Sequence, residues 1–124
     1  MATKTSAQRM AADAQTKPTG DGAIILDAVL AQLSNMTSVS SLPFAAYEPL
    51  RADLLARAEM GLKKYGTKLR AQNGRSAMLD LYQEILDAVM YAQQGRVEGD
   101  RTAGKYVEIL LSFAAQIVLE LDKR

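Results

Sequence analysis

The sequence predicts an all-α fold of four helices, and three observations carry that prediction. Apolar residues recur at i, i+3 and i+4 in four separate stretches, the period of a helix with one buried face. Segments rich in Gly, Pro and Ser part those stretches and favour turns over continued helix. No stretch of useful length alternates apolar with polar residues as a half-buried strand does, and no internal repeat is present.

The first helix is expected from Asp21, a candidate cap, through AIILDAVLAQLSNM, where Ile24, Ile25, Ala28, Val29 and Leu33 take mixed i+3 and i+4 spacing. It should stop at TSVSSLP, because Ser and Thr compete for helical backbone bonds and Pro43 disfavours helix before it. The second helix starts near Tyr47, with Pro49 in a first turn that does not need its N–H. Leu50, Leu54, Ala58 and Leu62 form its core stripe, and it ends around Tyr65-Gly66. A polar loop, YGTKLRAQNGR, follows, with Asn73-Gly74 as a turn signal. The third helix runs from Ser76 to about Gln94, and a break is expected over GRVEGDRTAG, from Gly95 to Gly104. On the last helix, KYVEILLSFAAQIVLELDKR, only Glu108, Ser112, Gln116 and Glu120 interrupt the apolar surface. A helix so apolar in a small domain calls for two partners, one in its own core and one across a subunit interface. An oligomer is therefore expected.

The chain has 124 residues, 48% hydrophobic and 23% charged, which suits one domain with a real core. That domain is read as residues 21–124. Residues 1–20, rich in Ala, Thr, Ser and Lys, read as an arm of low intrinsic structure, ordered only by packing on the domain or on a partner subunit. A net charge of +1 supplies no field for nucleic acid or an anionic membrane. No run approaches the roughly 18 uninterrupted apolar residues of a membrane span. The N-terminal MATKTSAQRMAADAQ lacks the apolar segment of a secretory signal, so a cytoplasmic location is expected.

Two absences narrow the chemistry. Without Cys there is no thiolate nucleophile or zinc–thiolate site, and without His there is no imidazole base or histidine ligand. Catalysis would fall to carboxylates, Lys, Arg, Tyr or hydroxyls with a hard cation, and oxygen-only ligation suits Mg²⁺ or Mn²⁺. Such a cation is most at home on phosphates.

The third helix carries the candidates. Asp80, Glu84, Asp87 and Tyr91 fall within an arc of roughly 60° at about 100° per residue. No Lys or Arg lies between Arg75 and Arg96. Two readings stand: a solvated face, or a metal-binding stripe. A solvated face usually mixes signs, because like charges at i,i+4 repel. Glu84-x-x-Asp87 can give two oxygens to one cation, with Asp80 one turn earlier and Tyr91 as an aromatic lid. On the second helix, Glu59 has Lys63 and Asp53 has Arg57 at i,i+4, so surface salt bridges would explain both acids. Asp53 also shares its face with Arg57 and Lys64, a mixture able to hold a metal and the phosphates it bridges. Lys64, Lys68, Arg70 and Arg75 make a cationic patch around the loop, next in sequence to the acidic stripe. The six Met residues read as core filler.

At these residues the chain resembles a known family. RAEMGLKKYGTKLRAQNGRSAMLDLYQEILDAVMYAQQ is similar to the phage-type MazG-like nucleotide pyrophosphohydrolases of the all-α NTP pyrophosphatase superfamily. Their core reads R-x-x-x-G-x-x-[KR]-Y-G-x-x-L-x-x-x-N-G-R, then D-x-x-x-E-x-x-D-x-x-x-Y. The match covers about Asp53 to Gln94, a third of the chain, with loop and helix in one register. The resemblance implies a four-helix bundle pairing into dimers or tetramers with interdigitated helices. It implies cleavage of a (deoxy)nucleoside triphosphate to the monophosphate and pyrophosphate with two or three Mg²⁺ or Mn²⁺ ions. It implies Asp80, Glu84 and Asp87 as metal ligands, with Glu84 also steadying the attacking water. The family's first E-x-x-E element is degraded here: Ala56 stands where an acid is expected, leaving Asp53 first and Glu59 second as ligands. Arg57, Lys64 and Arg75 would then face the β,γ-phosphates, and Tyr65, Asn73 and Tyr91 the base or sugar. A phage member of this type removes dGTP or GTP in a 2-aminoadenine DNA pathway, so guanine nucleotides are the first expectation. The rival expectation is a non-catalytic helical interaction module, which needs neither metal nor nucleotide.

Overall fold

The computed structural model describes residues 6–10, 19–39 and 42–124. Among them lie α1 (Ser6–Met10), α2 (Ile25–Val39), α3 (Tyr47–Tyr65), α4 (Ala77–Val97), α5 (Arg101–Gly104) and α6 (Tyr106–Asp122), with a 3₁₀ turn at Phe44–Ala46. The all-α expectation holds, with four long helices and, among the described residues, no strand. Contacts divide the chain into two compact units. One comprises the described residues within Thr16–Arg75, the other those within Met1–Gln15 and Ser76–Arg124.

In the first unit, residues 19–25 run antiparallel to residues 69–73. Thr19 N donates to Asn73 O (3.0 Å), Ala71 N to Ala23 O (2.8 Å) and Ile25 N to Leu69 O (3.0 Å), and Ile24 pairs with Arg70 as an isolated β-bridge. The Arg70 guanidinium adds a bond to Gly22 O at 3.1 Å. This pairing corrects the expected start of the first helix. The backbone on either side of Ile24 is committed to the opposite segment, so α2 begins at Ile25 and Asp21 lies too far upstream to cap it. At its other end α2 continues through Thr37 and Ser38 to Val39, past the expected stop. Pro49 sits in the first turn of α3, as expected, and Gly66 ends the helix with φ 75° and its N–H on Leu62 O. This left-handed cap suits glycine, which lacks the Cβ that would clash. Of the expected α3 stripe, Leu54, Ala58 and Leu62 are half-buried and Leu50 is exposed; Leu33 of α2 is buried.

In the second unit, Ser76 caps α4 by accepting the Leu79 N–H at 3.2 Å. α6 packs on α4; Val107, Ala114 and Leu121 of α6 are buried at a strict seven-residue spacing, and Ala92 of α4 is buried too. That spacing returns each side chain to nearly the same face, a seam like that of a coiled coil. α1 joins this unit: Arg9 Nη1 donates to Asp122 Oδ1 at 2.9 Å, and Arg9 O accepts from Gln83 Nε2 at 3.3 Å. Residues 1–5 and 11–18 of the expected arm lie outside the described residues.

The break expected at Gly95 does not occur there. α4 runs on to Val97 and turns at Gly99, where φ is +94°. A Cβ on Gly95 would stand 2.5 Å from Ala103 Cβ. Glycine is therefore in the helix for close approach to α5, whose cap Asp100 accepts from Ala103 N (3.0 Å) and donates its own N–H to Gly95 O (2.8 Å). Gly95→Ala should destabilise the chain by about 1–2 kcal/mol, although alanine is the better helix former by about 1 kcal/mol. Adding Ala103→Gly should recover part of that loss, read as a coupling energy from urea unfolding of the two single variants and the double.

α6 keeps a second apolar stripe open. Tyr106, Ile109 and Phe113 are 53%, 52% and 50% exposed, beside the seam that faces α4. Among the described residues, the stretch Arg101–Asp122 is long and apolar enough to cross a membrane, a test that a core or interface helix also passes.

Candidate functional site

The expected site residues divide between the two units. Asp53, Arg57, Glu59, Lys64, Tyr65, Asn73 and Arg75 belong to the first, and Asp80, Glu84, Asp87 and Tyr91 to the second.

On α4 the helix itself aligns the acids. Asp80 is half-buried, Glu84 and Asp87 are exposed, and Tyr91 is 70% exposed. Among the described residues no cation stands within 4.0 Å of Glu84 or Asp87 and no hydrogen bond engages either carboxylate. Asp80 and Glu84 are i,i+4 and Glu84 and Asp87 are i,i+3, so each acid raises the electrostatic cost of its neighbour. The face thus offers hard oxygen donors to a cation. Among the described residues no group of three or more acids is close enough to hold a metal by itself. Glu84 and Asp87 suit an ion of the Mg²⁺ type, which is commonly held by one or two carboxylates and completed by water and phosphate oxygens.

On α3, Asp53, Arg57, Glu59 and Lys64 are all exposed. The salt bridges that would have explained Asp53 and Glu59 do not close: neither Asp53–Arg57 nor Glu59–Lys63 is among the ion pairs of the described residues. Arg57 Nη1 instead lies 4.0 Å from Met60 Sδ, and Lys64 Nζ lies 5.2 Å from the Tyr65 ring centre, over an aromatic that is itself 61% exposed.

The loop is more constrained than its composition indicates. Asn73 Oδ1 accepts from Arg75 N at 3.0 Å, closing an Asx turn, while Asn73 O receives Thr19 N. Gln72 adopts φ 55° and Gly74 φ 83°. Asn73 therefore shapes the loop with its carbonyl oxygen, and its side-chain amide N–H₂ remains as donor chemistry for a ligand. Arg70, expected in the open cationic patch, is turned onto Gly22 O.

Sequence reasoning missed residues 19–25 as part of this loop. The available signal was Gly20-Asp21-Gly22. A Cβ on Gly22 would lie 2.2 Å from Ala71 O and one on Gly20 3.0 Å from Gln72 O, so both glycines admit the opposing backbone.

Comparison with models of known families, with curated proteins and with solved structures finds no match to this chain.

Proposed function

We propose that this chain is a metal-dependent nucleotide pyrophosphohydrolase of the MazG-like type, converting a (deoxy)nucleoside triphosphate, with dGTP or GTP first, to the monophosphate and pyrophosphate. One observation carries the reading. Glu84 and Asp87 stand exposed, one helical turn apart and without a cation among the described residues, in the register of the D-x-x-x-E-x-x-D-x-x-x-Y motif.

A Mg²⁺ or Mn²⁺ ion on these oxygens would lower the pKa of bound water and offset phosphate charge. Glu84 accepts a hydrogen bond from the attacking water and takes its proton. The water oxygen bonds to the α-phosphorus, the bond from that phosphorus to the α,β-bridging oxygen breaks, and pyrophosphate leaves with that oxygen. Asp80 and Asp87 would extend the oxygen-donor set on α4, and the resemblance implies Asp53 and then Glu59 as the donors that α3 would supply. Arg57, Lys64 and Arg75 balance the β,γ-phosphates, and Tyr65, Asn73 and Tyr91 supply stacking and hydrogen-bonding groups for base and sugar. The reading includes a homo-oligomer, dimer or tetramer. The half-exposed Tyr106, Ile109 and Phe113 form a continuous apolar stripe of the kind that a second copy covers.

The test is product analysis of the purified chain with each (d)NTP, in Mg²⁺, in Mn²⁺ and in EDTA, with the mass in solution measured by light scattering. Metal-dependent release of monophosphate and pyrophosphate from an oligomer is expected. Release of orthophosphate would show that a different bond is cut. No turnover would favour the second reading, a helical interaction module, whose own support is the exposed apolar surface that includes Phe44 at 90%.

A further inference from the structure

We propose that the turn from α4 into α5 is a second, metal-independent anion site that takes an oligophosphate: inorganic pyrophosphate or triphosphate, or the phosphate chain of a nucleotide. It goes beyond the catalytic reading and does not rest on it. A hollow of about 500 Å³ opens there, lined by Arg96, Gly99, Asp100, Arg101, Gly104 and Lys105, all within the second unit. Of the lining residues only Gly104 is buried, so the hollow is an open depression on the surface.

Three cations meet one acid in this lining. The acid is already engaged, since Asp100 Oδ1 accepts from Ala103 N at 3.0 Å. Among the described residues Arg96, Arg101 and Lys105 make no ion pair within 4.0 Å. Their placement is unfavourable in a further way. Arg101 and Lys105 are like charges at i,i+4, linked by Lys105 N donating to Arg101 O at 3.3 Å.

The third cation is positioned by a glycine. A Cβ on the buried Gly104 would come within 3.2 Å of Arg96 Cβ and 3.4 Å of its Cγ and Nε. Arg96 therefore lies along the track that the missing side chain leaves open, and it lines the hollow together with Arg101 and Lys105. One bound anion relieves the like-charge repulsion and gives the Arg96 guanidinium a partner. A phosphate chain is the chemistry that fits, because its charge exceeds the local excess of two and its oxygens match the arginine fork bidentately. The site is separate from the acidic stripe: Arg96 is nine residues beyond Asp87, about 13 Å along α4 and half a turn around it.

The test uses the full chain in EDTA, titrated with sodium pyrophosphate and separately with a nucleoside triphosphate, followed by calorimetry and backbone amide NMR. Saturable binding is expected, with shifts centred on residues 99–105. The tighter of the two titrants identifies the source of the phosphate chain. Arg96→Gln and Arg101→Gln should each weaken binding about tenfold. Gly104→Ala keeps every charge but displaces Arg96, and it too should weaken binding. Lys123→Gln removes one charge at the other end of α6 and should change nothing. Absence of saturation at millimolar pyrophosphate, or equal weakening by Lys123→Gln, would overturn the site. Because no metal is present, this outcome is independent of whether the acidic stripe is catalytic.

Discussion

Glu84→Gln is expected to lower turnover by about a thousandfold while leaving the folded chain intact or slightly more stable. The rate estimate is the usual contribution of a positioned acid–base group, here combined with loss of a metal-ligand charge. The stability estimate comes from the same carboxylate. Glu84 is exposed and lies between Asp80 and Asp87 on one face of α4, so neutralising it removes repulsion worth a few tenths of a kcal/mol. A residue kept for packing would move both quantities in the same direction. Three measurements check this: steady-state release of pyrophosphate, helix content by circular dichroism, and the unfolding midpoint with and without Mn²⁺. Mn²⁺ should raise the wild-type midpoint through mass action and raise that of the variant much less. Glu108→Gln, at an exposed acid on α6 outside the proposed site, should behave as wild type in all three. Full activity in Glu84→Gln would remove the residue from the mechanism.

Gly22→Ala should destabilise the first unit by about 3 kcal/mol, lowering the midpoint of its thermal transition by roughly 12–24 °C. The added Cβ would sit 2.2 Å from the Ala71 carbonyl oxygen. That oxygen cannot yield by a rotamer change, because it is backbone, and Ala71 N is bonded to Ala23 O at 2.8 Å. Accommodating a methyl group therefore means parting residues 19–25 from residues 69–73 and giving up ladder bonds along with the Arg70–Gly22 contact. Hydrogen exchange should locate the effect: the amides of Ile25 and Ala71 lose protection, whereas those of α4 and α6 keep theirs. An unchanged midpoint and unchanged protection would show that the two segments are not held together as described.

Much of the helical architecture was legible before the structure. Pro49 in a first turn, Gly66 at a C-terminus and Ser76 at an N-terminus are local signals, because the backbone groups they satisfy or omit lie within four residues. The alignment of Asp80, Glu84, Asp87 and Tyr91 was equally local, since helix periodicity alone sets it. Signals that depend on a distant partner were read wrongly. Gly95 reads as a breaker by composition, yet α4 passes through it because Ala103 needs the space. Asp21 reads as a cap, yet the pairing of Ile24 with Arg70 delays the helix to Ile25. Nearer in sequence, a surface salt bridge was the simpler reading for Glu59 with Lys63 and the alternative to a site role for Asp53 with Arg57; neither pair is formed, because exposed ion pairs gain too little to fix two long side chains.

By itself the sequence determined that this chain is helical, where most of its long helices lie, and which face of α4 carries the acids. The reason is that helix propensity, capping and periodicity act within one or two turns of the chain. Tertiary structure decided what the glycines are for, which basic side chains are spent on backbone and which gather at the α4–α5 turn. Close approach of two backbones and convergence of charges from separate helices are facts about neighbours in space, and spacing along the chain does not encode them.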